Sequence, residues 1–157
     1  MLGKFDNFPI FVHKAKNFKI NASLGHVQRK VIEALYGLNG KEISSSGIFD
    51  GIGAGFKVIF EVGVADGVNF NYLDDLELKR CLKHLKGGGG FKVLDFFLVN
   101  RYYKVDNEKR MKPLKFDYQL IRFEFLDKNL VVKVYHERGP RRIQLEELID
   151  FLAKQIL

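Results

Sequence analysis

Along residues 56–64 apolar and polar side chains alternate: Phe56, Val58, Phe60, Val62 and Val64 share one face of an extended chain, with Lys57, Glu61 and Gly63 between them. A period of two predicts a strand with one strongly apolar face. Ala65-Asp66-Gly67 supplies a turn, and residues 68–72 can return as its partner. Residues 91–103 are apolar on both faces, as expected of a central, covered strand. Residues 116–125 and 130–137 alternate again and flank Asp127-Lys128-Asn129, which predicts a hairpin.

Three stretches follow the helical period instead. Leu24, Val27, Val31, Ile32, Leu35 and Tyr36 form one stripe, capped by Ser23 and stopped by Gly37 and Asn39-Gly40. Leu76, Leu78, Cys81, Leu82 and Leu85 form a second, capped by Asp74 or Asp75 and ended by Gly87 to Gly90. The last carries Leu145, Leu148, Ile149, Leu152 and Ile156 opposite Glu146, Glu147, Asp150 and Lys154. Residues 1–20, rich in Phe and Lys, read as an irregular or short-strand lead-in. Ser44 to Gly47 reads as loop, and residues 104–115 as a polar connection. The order α-β-β-α-β-β-β-α predicts an α+β fold, an antiparallel sheet of four to five strands packed against helices, with residues 1–157 in one domain. Phe151 and Leu157, outside the last stripe, leave apolar surface that could join subunits.

Composition narrows the class. The chain has 157 residues, 46% hydrophobic and 29% charged, which is the balance of a globular protein. Its formal net charge of +7 favours polyanionic partners. The single cysteine, Cys81, excludes an internal disulfide and a cysteine-based zinc site, and reads as a small buried hydrophobe. No apolar run is long enough to span a bilayer and no leader is apparent, so a cytoplasmic location is expected. The absence of Trp and the abundance of Lys fit a thermophilic protein.

Charge and rings coincide in the last three predicted strands. Arg101-Tyr102-Tyr103-Lys104 sits at the end of the long strand, with Arg110 in the following loop and Arg122 in the next strand. Tyr135, His136, Arg138, Arg141 and Arg142 surround a Gly139-Pro140 break. If the three strands are neighbours in a meander, both basic groups meet on one rim of the sheet. Rings that stack on bases beside cations that neutralise phosphates suit a single-stranded nucleic acid. Tyr102 and Tyr103 must point to opposite faces, so one faces the ligand and the other belongs to the core.

Other motifs carry less. The glycines at 51, 53 and 55 lack the helix that a phosphate-holding hairpin needs, and Gly87 to Gly90 precede no helix N-terminus. Asp66 with Glu77-Leu78-Lys79 has the spacing of some metal-dependent nucleases, but Glu77 and Lys79 fall on a helix, where they diverge. The four histidines are scattered, no metal-ligand spacing emerges, and no cofactor is expected. An enzyme acting on nucleic acid and a protein-interaction or assembly module both stay open as alternatives.

In element order, length and basic-aromatic strands the chain resembles the ThermoDBP-related group of archaeal single-stranded nucleic-acid-binding proteins. Arg101-Tyr102-Tyr103-Lys104 and the 136–142 segment His-Glu-Arg-Gly-Pro-Arg-Arg are the residues nearest to motifs. No site is carried over residue by residue. The resemblance implies a sheet-and-helix domain with a basic cleft, oligomeric through its helices. It also implies binding of single-stranded DNA or RNA without strict sequence preference.

Overall fold

The computed structural model describes residues 1–44, 49 and 52–157. Its elements are β1 (Lys14–Lys19), α1 (Leu24–Leu38), β2 (Glu42–Ser44), β3 (Phe56–Asp66), β4 (Asn69–Tyr72), α2 (Asp75–Lys86), β5 (Val93–Val105), β6 (Met111–Pro113), β7 (Asp117–Leu126), β8 (Asn129–Arg138) and α3 (Leu145–Ile156). The strands form one antiparallel eight-stranded sheet, curled into a half-barrel, in the order β1-β8-β7-β5-β3-β2. β4 pairs with β3 and β6 pairs with β5, each off the main path. The α+β class is as expected from sequence. The sheet is larger than the expected four to five strands, because β1 falls in a segment that reads only as an irregular or short-strand lead-in, β2 ends at Ser44 where a loop is expected, and β6 lies in the expected connection.

Register fixes which side chains share a face. Val62 lies opposite Leu98, Leu98 opposite Gln119, and Gln119 opposite His136. One face of the sheet therefore presents Val58, Phe60 and Val62 of β3 with Leu94, Phe96 and Leu98 of β5. Ile121 and Phe123 of β7 and Leu130, Val132 and Val134 of β8 continue it. All of these are buried in a single core with Val31, Ile32 and Leu35 of α1 and Leu148, Ile149 and Leu152 of α3. At about 25 cal/mol per Å² of apolar surface removed from water, this burial is the main force closing the helices onto the sheet. Phe151 of α3 stacks over Phe60 at 6.3 Å and packs half-buried against this core. Leu157 is 52% exposed.

The helix ends follow their caps. Ser23 Oγ accepts from the His26 amide at 3.3 Å, and Asp74 Oδ1 from that of Glu77 at 3.0 Å. α1 and α2 run antiparallel, with Tyr36 at the end of α1 hydrogen-bonded to Asp75 at the start of α2. α3 is fastened to the edge strand β1 by Lys16, whose Nζ lies 2.7 Å from Asp150 and 3.5 Å from Glu146. No helix among the described residues is long and apolar enough to cross a membrane.

Candidate nucleic-acid interface

Among the described residues the opposite face of the sheet carries no helix. It presents Gly63 of β3, Phe70 and Tyr72 of β4, Phe97, Val99, Arg101 and Tyr103 of β5, and Tyr118, Leu120 and Arg122 of β7. Its rings form a continuous series. Phe5 of the lead-in meets Phe70 at 4.7 Å, Phe70 meets Phe97 at 5.6 Å edge-on, and Phe97 stacks on Tyr118 at 5.8 Å with 12° between planes. Tyr72 meets Phe97 edge-on at 5.9 Å and is 60% exposed. The series crosses β3 only because residue 63 is glycine: a Cβ there would stand 2.0 Å from the Phe97 ring. An aromatic folded over a strand glycine is a recognised sheet device.

The cations of this face are paired. Arg101 Nε donates to Glu61 at 2.6 Å, with the guanidinium 5.4 Å from the Phe116 ring centre. Arg122 grips Asp95 through Nε and Nη2 at 2.7 and 2.8 Å, and covers Phe8 at 4.3 Å. Asp95 is fully buried, and desolvation holds its carboxyl above the usual range despite that partner. Lys133 pairs with Glu124 and Lys57 with Glu42. The face is aromatic and close to electroneutral.

Unpaired cations gather at one end of it. Asp117 opens β7 opposite Asn100 of β5, and Tyr118 lies opposite Arg138 across a register shift in β8. Asp117 is 1% exposed and is the anchor of this corner. Its Oδ1 accepts from His136 Nε2 at 2.8 Å and from the Arg141 amide at 2.7 Å. Its Oδ2 accepts from the Tyr102 hydroxyl and from the Arg142 amide at 3.1 Å. Asn100 Nδ2 and the Ile143 amide donate to the Tyr102 hydroxyl, each at 3.3 Å, and Gln119 donates to Asn100 at 2.9 Å. Gly139, at φ +117, allows the turn to lie flat on this carboxylate, since a Cβ would meet Asp117 Oδ1 at 2.4 Å. The basic turn is thus bolted to the end of the sheet where Lys104 of β5 faces Lys112 of β6. Lys104, Lys112, Lys115, Arg138 and Arg141 are exposed and have no ion pair among the described residues.

The sequence-designated residues separate into distinct environments. Tyr102 is core, 1% exposed, and burial with the Asp117 carboxylate pushes its hydroxyl pKa well up. Tyr103 is the half-buried neighbour on the open face. His136 is 7% exposed and serves the buried network, so it is not part of an exposed basic cluster. Arg101 and Arg122 lie on the open face but are held by carboxylates. Arg110 pairs with Asp106 and Glu108 in an exposed loop. Tyr135 packs tilted against His13 at 4.8 Å toward the β1 side, away from Tyr103. Lys104 lies at the end of β5 opposite Lys112, and Arg138 and Arg141 flank the turn held by Asp117. Arg142 lies between the Phe56 and Tyr102 rings, 5.9 and 5.7 Å from their centres.

Sequence reasoning missed the Asp117 network and the contributions of Phe70, Tyr72, Phe97 and Tyr118. A signal for the network was present. Asn100, Asp117, Gln119 and His136 are polar residues on the inward phase of otherwise apolar strands, and buried polar groups of that kind need one another.

The nuclease-like set takes another form. Arg80 Nη1 lies 2.8 Å from Asp66 and 3.5 Å from Glu77, so a guanidinium occupies the space between the two carboxylates. Cys81 is fully buried, with its thiol pushed up to about 11 by desolvation. The glycine at 51 and the serines at 45 and 46 fall outside the described residues. No protein-family model, curated protein or solved structure matches the chain.

Proposed function

We propose that this protein binds single-stranded DNA or RNA without strict sequence preference, with bases on the open face and the sugar-phosphate backbone along the basic corner. One observation carries the reading. A sheet face that no helix covers among the described residues bears Tyr72, Phe97, Tyr103 and Tyr118, and unpaired Lys104, Lys112, Lys115, Arg138 and Arg141 lie in the strand ends and turn that border it. Stacking rings beside backbone-tracking cations are the two parts of a single-strand surface. The resemblance to the ThermoDBP-related group implies the same class of ligand. Binding of labelled single strands, compared with duplex at two salt concentrations, tests it. The single strand should bind tighter, and salt should weaken it steeply. Equal or tighter duplex binding would refute it.

A second reading rests on the pairing of Arg101, Arg122, Lys57 and Lys133 with carboxylates. A neutral aromatic sheet face also suits another protein surface, including a second copy of this chain. Sedimentation showing concentration-dependent assembly, with no oligonucleotide affinity at low salt, would favour this assembly module.

A further inference from the structure

Where α1, α2 and the 88–93 segment meet the sheet, two clefts of 850 and 720 Å³ adjoin one another; the larger reaches round to Arg122, whose guanidinium is held by Asp95. They share Gly25 of α1 and Leu85 of α2. The larger is floored by Leu2, Leu24, Leu85, Phe91 and Val93, and its volume is that of a small-molecule pocket. Lys4 and Lys92 stand at its edge, exposed and without an ion pair among the described residues. The first turn of α1 borders it and contains no acidic residue. The smaller cleft continues between the helices past Arg29, Lys79, Lys83 and Lys86.

Gly25 is what keeps the two continuous. Apart from proline, glycine is the poorest residue for a helix. Its backbone here has ordinary helical geometry, and a Cβ would meet nothing within 4 Å. No turn or close approach calls for glycine at this position, yet any larger side chain would project into the cleft. An apolar floor edged by two unpaired lysines, with the Asp95-held Arg122 beyond them and a helix N-terminus beside, complements a molecule with an apolar chain and one anionic head.

We propose that this cleft binds an anionic single-chain amphiphile, its chain over Leu24, Leu85, Phe91 and Val93 and its head at Lys4 and Lys92. The proposal does not rest on the nucleic-acid reading, although Arg122 borders both this cleft and the open face.

Calorimetric titration with decanoate and decyl phosphate, below their micelle concentrations, tests it. Both should bind saturably, and the tighter one identifies the head as carboxylate or phosphate. Decanol and decyltrimethylammonium should bind at least about fivefold more weakly, the scale of one or two solvent-exposed charge pairs. Gly25→Leu should abolish binding while melting no lower than wild type and leaving oligonucleotide affinity unchanged. Lys4→Ala with Lys92→Ala should weaken the anions alone, and decides the matter if Gly25→Leu misfolds. Undiminished decanoate binding by folded Gly25→Leu, or equal binding of decanol, overturns the proposal. So does binding confined to phosphatidylglycerol vesicles, which would make the region a membrane-contact surface.

Discussion

The two faces of the sheet solve the same problem of placing rings and charges in opposite ways. On the helix-covered face the polar groups are withdrawn from water and gathered around one carboxylate. Asp117 accepts from Tyr102, His136 and two successive backbone amides, so removing any member strands the rest. On the open face the Arg101–Glu61 pair is partly exposed to solvent, so losing one partner leaves a group that water can still serve; the Arg122–Asp95 pair, with Asp95 buried under the lead-in, is the exception. The covered face should therefore govern stability and the open face binding, although Tyr102 and Tyr103 are adjacent in the chain.

The largest expected effects test the covered face. Asp117→Ala leaves a buried hydroxyl, an imidazole and two amides without their acceptor, and should cost about 3–5 kcal/mol in denaturant unfolding. Tyr102→Ala should cost a similar amount, about 3–5 kcal/mol, by emptying a fully buried ring site. Tyr102→Phe keeps the ring but strands its hydrogen-bond partners, for about 1–3 kcal/mol. Wild-type stability in Asp117→Ala would mean that the basic turn is not held by this carboxylate.

These effects mark where the sequence was legible. β3, β5, β7 and β8 announced themselves because one or both faces are apolar at the strand period, and the helices did so by stripe and cap. β1 did so only as an irregular or short-strand lead-in, because its inward positions include Lys14 and Lys16, which serve Glu146 and Asp150 of α3. Lysine alternating with small or polar residues looks like surface. β2 and β6 are edge pieces of three residues, too short for a period to register. The convergence of basic segments could be anticipated from the meander. The Asp117 anchor was signalled only by polar residues on the inward phase of apolar strands; its partners come from two strands and a turn that only the fold brings together. Likewise Tyr72 and Phe97 become neighbours through β4 folding back along β3, a pairing that the ring positions alone do not reveal.

Tyr103→Ala is the counterpart of Tyr102→Ala. It should lower single-strand affinity by roughly 1–3 kcal/mol, the value of one stacked base, with little change in melting temperature. If Tyr103→Ala melts early and its folded fraction binds normally, the open face is a packing surface and the assembly reading gains.

At the corner, Arg141 has φ +56, a left-handed conformation that favours glycine. Arg141→Gly removes the charge while easing the backbone, so weaker binding cannot be blamed on misfolding. Combined with Arg138→Ala, it should flatten the slope of log affinity against log salt by about one unit for each phosphate that is no longer neutralised. Affinity should fall equally for all sequences. An unchanged slope would remove these cations from the interface.

The smallest effect is the most discriminating, because it acts on the neutrality that divides the two readings. Glu61 is all that holds the Arg101 guanidinium by ion pairing, and Arg101 already lies beside Phe116. The pair is partly exposed, so Glu61→Gln should change stability by no more than about 1 kcal/mol. It leaves a cation free on the stacking face. If a nucleic-acid strand crosses this face, its phosphates acquire a new cationic partner: single-strand affinity should rise a few-fold and the salt slope steepen by up to about one unit. If the face instead docks against a second copy of this chain, the unmatched charge is brought to the interface from both sides. Self-association should then weaken while oligonucleotide binding stays absent. One conservative substitution thus drives the two outcomes in opposite directions.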